Sequence, residues 1–167
     1  MAQVRSRPER QIRLARSRAL RLVPTSGLVD DFVLAVDQDR NRPIQLLPHD
    51  LGRDSPSGMW IATESKDYVV FPADASSSER TAIICHEVAH MVLGHQAGAV
   101  LDRAAQIAEV VAPHVDPATA RRFLARHGYA EAMEADAEDL ATLLVARLAR
   151  NADALAVRCD AVSDRLR

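Results

Sequence analysis

Cys85-His86-Glu87-Val88-Ala89-His90 is the stretch on which the fold of this chain turns. It contains H-E-x-x-H. On an α-helix, histidines four residues apart stand about 40° apart around the axis, so both imidazoles leave the same face. From there they can reach one Zn²⁺ at roughly 2.0–2.1 Å, with Glu87 close enough to activate a metal-bound water. Ala82, Ile83, Ile84, Val88, Met91, Val92 and Leu93 make the segment apolar almost all round, which assigns the helix to a core. Ser76 and Glu79 have capping-box spacing at its start, and Gly94 suits the C′ position at its end. Histidines and a glutamate buried in such a helix need partners, and a metal is the most economical one. A surface helix with two incidental histidines fits this burial pattern poorly.

Catalytic zinc takes three protein ligands and a water, so the motif needs one more residue. The metzincin continuation is absent, because Leu93 stands where its glycine would be and Gln96 where its third histidine would be. His95 follows His90 by five positions, about 140° around a helix, and is expected to point elsewhere in a rim or capping role. The other common solution is a glutamate on a downstream helix. The stretch from Glu131 to Leu148, rich in Ala, Leu and Glu, is a strong helix former. Glu134 shares a face with Ala137, Ala141, Leu144, Val145 and Leu148, which makes it an acid on an otherwise apolar stripe. An acidic first turn favoured by the helix macrodipole accounts for Glu131 more readily than for Glu134. Glu134 is the expected third ligand, with Glu138 as the alternative.

The pairing of His86-Glu-Val-Ala-His90-Met-Val-Leu-Gly-His95 with Glu134-Ala-Asp-Ala137-Glu138-Asp-Leu140-Ala141 resembles the ImmA/IrrE family of metallopeptidases. That family shows H-E-[LI]-[GA]-H-x-x-L-G/C-H followed by E-x-E-A-x-x-F/L-A-x-x-L. The resemblance implies that Glu134, the first Glu of the second motif, is the third zinc ligand. Asp136 replaces the usual Glu, Val88 the usual Leu or Ile, and Leu140 the usual Phe; none of these is a ligand or the base. The likeness extends to residues 42–48 and 57–62. It implies one Zn²⁺ per chain and peptide-bond hydrolysis.

A chain of 167 residues with 26% charged residues and a net charge of −2 is long enough for one domain with a sizeable core. No apolar run approaches membrane-spanning length, and the first residues lack the apolar stretch of a secretory signal, so the cytoplasm is the default location. Cys85 and Cys159 make no disulfide framework. Cys85, about 100° around from His86, reads as a small buried hydrophobe rather than a ligand. A single zincin-like domain over 1–167 is expected, with a basic N-terminal helix at 1–24, a catalytic core at 25–150 and a helical tail at 151–167.

Periodicity predicts helices at 7–23 and 28–40, the latter with Leu28, Phe32, Ala35 and Val36 at helical spacing. A strand is predicted at 43–47, and 57–63 with 67–71 read as a hairpin. Further helices follow at 100–111 and 117–126, and the Glu134 helix is expected to run to about residue 150. The fold class is α+β, mostly helical, with a small β-sheet beside the H-E-x-x-H helix. In zincins an edge strand beside the metal helix often holds an extended substrate, so the 57–71 hairpin is either that platform or a sheet covering the core. Glu87 is the expected general base, drawing a proton from a water whose pKa the metal lowers. His127 and Tyr129 are candidates for an oxyanion partner, against a capping or solvated role. Glu138 is a candidate acceptor for a ligand-histidine N–H.

Arg5, Arg7, Arg10, Arg13, Arg16, Arg18 and Arg21 crowd the N-terminal stretch against Glu9 alone. Such a segment can meet nucleic acid, an acidic partner or anionic lipid. No aromatic side chains interleave to stack on bases, and the net charge argues against direct nucleic-acid binding as the main role. An amphipathic helix packed on the domain, arginines in solvent, is the plainer account. Two functions stay open. One is a zinc endopeptidase of narrow specificity, which the resemblance directs at a regulatory protein such as a helix-turn-helix repressor. The other is a non-proteolytic regulatory binding module on the same scaffold, such as a toxin–antitoxin component. The intact Glu87 favours the first.

Overall fold

The computed structural model of the chain describes residues 9–50, 58–63, 65–95 and 131–165, with side chains of the last helix described as far as Cys159. Helical periodicity becomes helix at α1 (Glu9–Leu22), α2 (Val29–Arg40), α3 (Ser77–Leu93) and α4 (Glu131–Arg165). Three short runs become strands β1 (Ile44–His49), β2 (Met59–Ala62) and β3 (Asp67–Pro72), the last rich in β-branched and aromatic residues. The result is a mostly helical α+β fold with a small sheet. The helices expected over 100–111 and 117–126 lie outside the described residues.

Both ends of α3 are set by local chemistry. The Ser76 side chain accepts from the Glu79 N–H while the Glu79 carboxylate accepts from the Ser76 N–H at 2.9 Å, a reciprocal capping box. At the other end Gly94 takes φ +70°, a left-handed conformation that glycine adopts without a Cβ clash. Its N–H donates to the Met91 carbonyl at 3.1 Å, and the His95 N–H donates to the His90 carbonyl at 3.0 Å. That pair of bonds is a Schellman closure, and it folds the chain back over the last turn.

The sheet runs in the order β1-β3-β2, with β1 parallel and β2 antiparallel to β3. The β2–β3 pair is the expected hairpin, with Trp60 opposite Val69. β1 continues past the expected end through Pro48, which a strand at the sheet edge accepts because no ladder bond needs its missing N–H. Strand alternation turns Trp60, Val69 and Phe71 into the core shared with the helices. There they meet Phe32 and Val36 of α2, Ile84, Val88 and Ala89 of α3, and Leu140, Leu144 and Leu148 of α4. Each large side chain buried this way contributes about 1.5–3 kcal/mol.

Two expectations are corrected by the packing. The buried stripe of α2 is Val29, Phe32, Val33 and Val36, because the helix begins at Val29 and leaves Leu28 as an exposed N-terminal boundary residue. The arginines of α1 are not all in solvent either. Arg16 is partly buried and pairs with Asp136 and Asp139 of α4 at 3.3 Å, and Arg18 reaches Asp39 at 2.8 Å. Deeper in the fold, fully buried Asp67 at the start of β3 sits between Arg40 at 2.6 Å and Arg42 at 3.0 Å. Asn151 of α4 donates to the Pro24 carbonyl at 2.8 Å, and α4 passes unbroken through residue 150 to Arg165. Among the described residues, no helix is long and apolar enough to cross a membrane.

Candidate metal centre

The site is made where α3 packs against α4. His86 and His90 stand one turn apart on α3 with their Nε2 atoms 3.0 Å from each other. Oε2 of Glu134, from α4, lies 3.4 Å from the His86 Nε2 and 3.6 Å from the His90 Nε2. Ligands held tetrahedrally at 2.0–2.1 Å from one zinc stand roughly 3.3–3.4 Å apart, so these three atoms already have the spacing of a coordination shell. His86, His90 and Glu134 could hold a metal ion.

Proton placement supports that reading of the donor set. His86 Nδ1 lies 3.3 Å from Oε2 of Glu138, and an ionised carboxylate only accepts. In the tautomer with its proton on Nδ1, His86 donates to that carboxylate and turns the Nε2 lone pair to the centre. His90 is fully buried, and its pKa is pushed down to about 3 by burial first, then by its neighbours His86 and His95. It is neutral. Two imidazole nitrogens and a carboxylate oxygen thus converge, an electron-rich group that calls for a proton or a cation between its members.

Glu87 lies outside this set and is buried. Burial, and secondarily the Glu134 charge, push its carboxyl up from the ordinary 4.5 to about 8, while an N–H donated by the Trp60 backbone pulls the other way. A carboxyl poised near neutrality can exchange protons with water at physiological pH. Antiparallel pairing alternates bonded and outward-facing residues, so a Trp60 N–H directed at Glu87 places Trp60 and Ala62 with their backbone groups away from β3. β2 is the terminal strand of the sheet among the described residues, and this is its outer edge, facing α3 at Gly58 and Trp60. A cavity of about 670 Å³ adjoins His86, lined by Pro72, Ala75, Ala82, Ile83 and Glu138 among others.

The structure brings together His86, Glu87, His90, Glu134 and Glu138. His127 and Tyr129 lie outside the described residues. Cys85 is fully buried, and desolvation pushes its thiol up to about 12, as suits a packed hydrophobe. His95 departs from expectation: it neither points away nor sits on a rim, but is buried with Nδ1 2.9 Å from His90 Nδ1. The 140° extrapolation fails because the helix ends at Leu93, and Gly94 at 94 was the available signal. Two further contributors escaped the sequence reading. The Trp60 contribution is a backbone N–H, which no side-chain identity encodes. Gly58 lets β2 approach α3, since a Cβ there would run into Ile83 and stand 3.3 Å from the Glu87 carboxylate. A lone glycine entering a strand is a recognisable sign of such an approach. Comparison with protein-family models, curated proteins and solved structures found no match.

Proposed function

We propose that this chain is a zinc-dependent endopeptidase of narrow specificity, acting on a regulatory protein such as a helix-turn-helix repressor. The observation that carries the reading is the gathering of ligand atoms from His86, His90 and Glu134 within 4.8 Å of one another, beside a buried Glu87. Two imidazoles and one carboxylate suit zinc better than harder cations that prefer all-oxygen shells. The resemblance to the ImmA/IrrE family supports the same chemistry and suggests the substrate class. Zn²⁺, when bound, supplies Lewis acidity, lowering the pKa of water towards 7 and polarising a peptide carbonyl. Glu87 then takes a proton from the attacking water and delivers it to the departing amine nitrogen. A cation at the triad draws the Glu87 pKa back down, which leaves the carboxylate ionised and able to accept at neutral pH. The Trp60 N–H holds that carboxylate in place. The outer edge of β2 has further backbone groups at Ala62 that would pair with an extended substrate.

The test compares wild type with Glu87→Gln, both zinc-loaded, against a co-expressed repressor substrate. The variant is expected to fold and hold zinc while cleavage falls by about 10²–10⁴-fold, the usual worth of a general base. If the variant kept full biological activity, the non-proteolytic binding module would replace this reading.

A further inference from the structure

His90 and His95 form a buried imidazole pair on the side of His90 turned away from the triad. Their Nδ1 atoms are 2.9 Å apart, and the ring centroids are 5.0 Å apart at 66°. His95 is there because of the backbone. Gly94 in the left-handed conformation reverses the chain, and the His95 N–H is tied to the His90 carbonyl at 3.0 Å. One residue thus holds both ends of His90, its main-chain oxygen and its ring. A neutral imidazole has one donor nitrogen and one acceptor. If His90 gives its Nε2 lone pair to the triad, its Nδ1 carries the proton, and His95 Nδ1 lies within reach of that proton at 2.9 Å.

We infer that His95 is a positioning residue: it accepts the Nδ1–H of His90, fixes the tautomer in which Nε2 faces His86 and Glu134, and so raises the metal affinity of the centre. This rests on the metal-binding part of the proposed function. The two histidines of the motif are held differently. His86 leans on the exposed carboxyl group of Glu138, whereas His90 leans on an imidazole ring in the interior. The inner ligand is thereby oriented without a second buried charge, which would be costly in this setting. Partners that orient a ligand histidine are worth about 10–100-fold in metal affinity.

Zn²⁺ affinity of the full chain, measured by chelator competition, tests this in wild type, His95→Gln and His95→Leu. Gln keeps an acceptor oxygen; Leu keeps bulk without one. The inference expects the Leu variant to bind about 10–100-fold more weakly and the Gln variant to recover most of that loss. Equal affinity in Leu and wild type, or equal weakening in both variants, would overturn it, the latter marking His95 as filler. A wild-type chain that binds no zinc would instead overturn the metal centre itself, and this inference with it. Should the Leu variant fail to fold, the zinc-loaded wild type still decides. A ¹⁵N–¹⁵N coupling across the hydrogen bond between the two Nδ1 atoms supports the assignment, and its absence refutes it.

Discussion

Oε2 of Glu138 lies 3.3 Å from Nδ1 of His86, one helical turn beyond Glu134 on the same face of α4. A single helix therefore presents one carboxylate to the triad and another to the back of a triad histidine. The geometry divides the labour by register alone, since residues four apart on a helix are neighbours. The Glu138 side chain is 71% exposed, so water can replace much of what it gives. Glu138→Ala is expected to weaken zinc binding by about tenfold, the low end for such partners, with Glu138→Gln closer to wild type. Chelator competition reads both, and an unchanged Ala variant would remove Glu138 from the site.

In the metal-free protein two buried groups tilt stability in opposite directions. Glu87 has its pKa raised to about 8, so between 4.5 and 8 the folded chain keeps a proton that the unfolded chain releases. Stability falls as pH rises through that window. His90 has its pKa lowered to about 3, so between 3 and 6.5 the unfolded chain takes up a proton that the folded chain refuses. Stability rises with pH there. The two slopes oppose each other from 4.5 to 6.5, leaving a fall of roughly 2 kcal/mol from these groups between 6.5 and 8. Urea unfolding in the presence of chelator measures it. Glu87→Gln is expected to abolish the fall, and saturating zinc to do the same by favouring the ionised carboxylate.

Asp67 joins the end of α2 to the start of β3 with no exposed surface, between Arg40 and Arg42. Removing one partner of a buried ion pair leaves the other charge uncompensated, at a cost of about 3–5 kcal/mol. For a chain of this length Asp67→Ala is therefore expected to lower Tm by about 10 °C. Thermal unfolding followed by circular dichroism checks this. A drop of no more than a degree or two would mean that the guanidinium groups find water instead.

What was legible in the sequence was local. The capping box at Ser76 and the stop at Gly94 depend on residues within one turn of each other, and the periodicity of 82–93 needed only the helix repeat. The facing of His86 and His90 follows from the same repeat. Glu134 was found because an acid on an apolar stripe is an anomaly at short range. The parallel pairing of β1 with β3 is non-local, and no neighbouring residue announces it. Arg16 read as a solvated charge because Asp136 and Asp139 lie about 120 positions away along the chain. His95 was misplaced for a different reason. A helical angle was carried past the glycine that ends the helix, although a Gly at C′ already implies that the next residue folds back on the last turn.

Gly58 offers the sharpest test of how closely β2 must approach the base. A Cβ at this position would collide with the Ile83 Cγ2 and stand 3.3 Å from the Glu87 Oε1. Ile83 is β-branched and stiff at χ1, so it cannot swing aside freely, and the strand must move instead. Overpacking of this kind costs about 1–3 kcal/mol. Displacing β2 also stretches the Trp60 N–H contact, the interaction that holds the Glu87 pKa down, so the carboxyl shifts further up. Gly58→Ala is expected to keep zinc content unchanged, slow peptide cleavage by about tenfold, and move the acidic limb of the pH–rate profile upward. Ile83→Ala opens the space the new methyl needs. The double variant should therefore be faster and more stable than the two single effects predict when added, a coupling of about 0.5–3 kcal/mol in a double-mutant cycle. Strict additivity, or a Gly58→Ala chain with wild-type rate and Tm, would show that the approach of β2 to α3 leaves room to spare and that glycine is dispensable there.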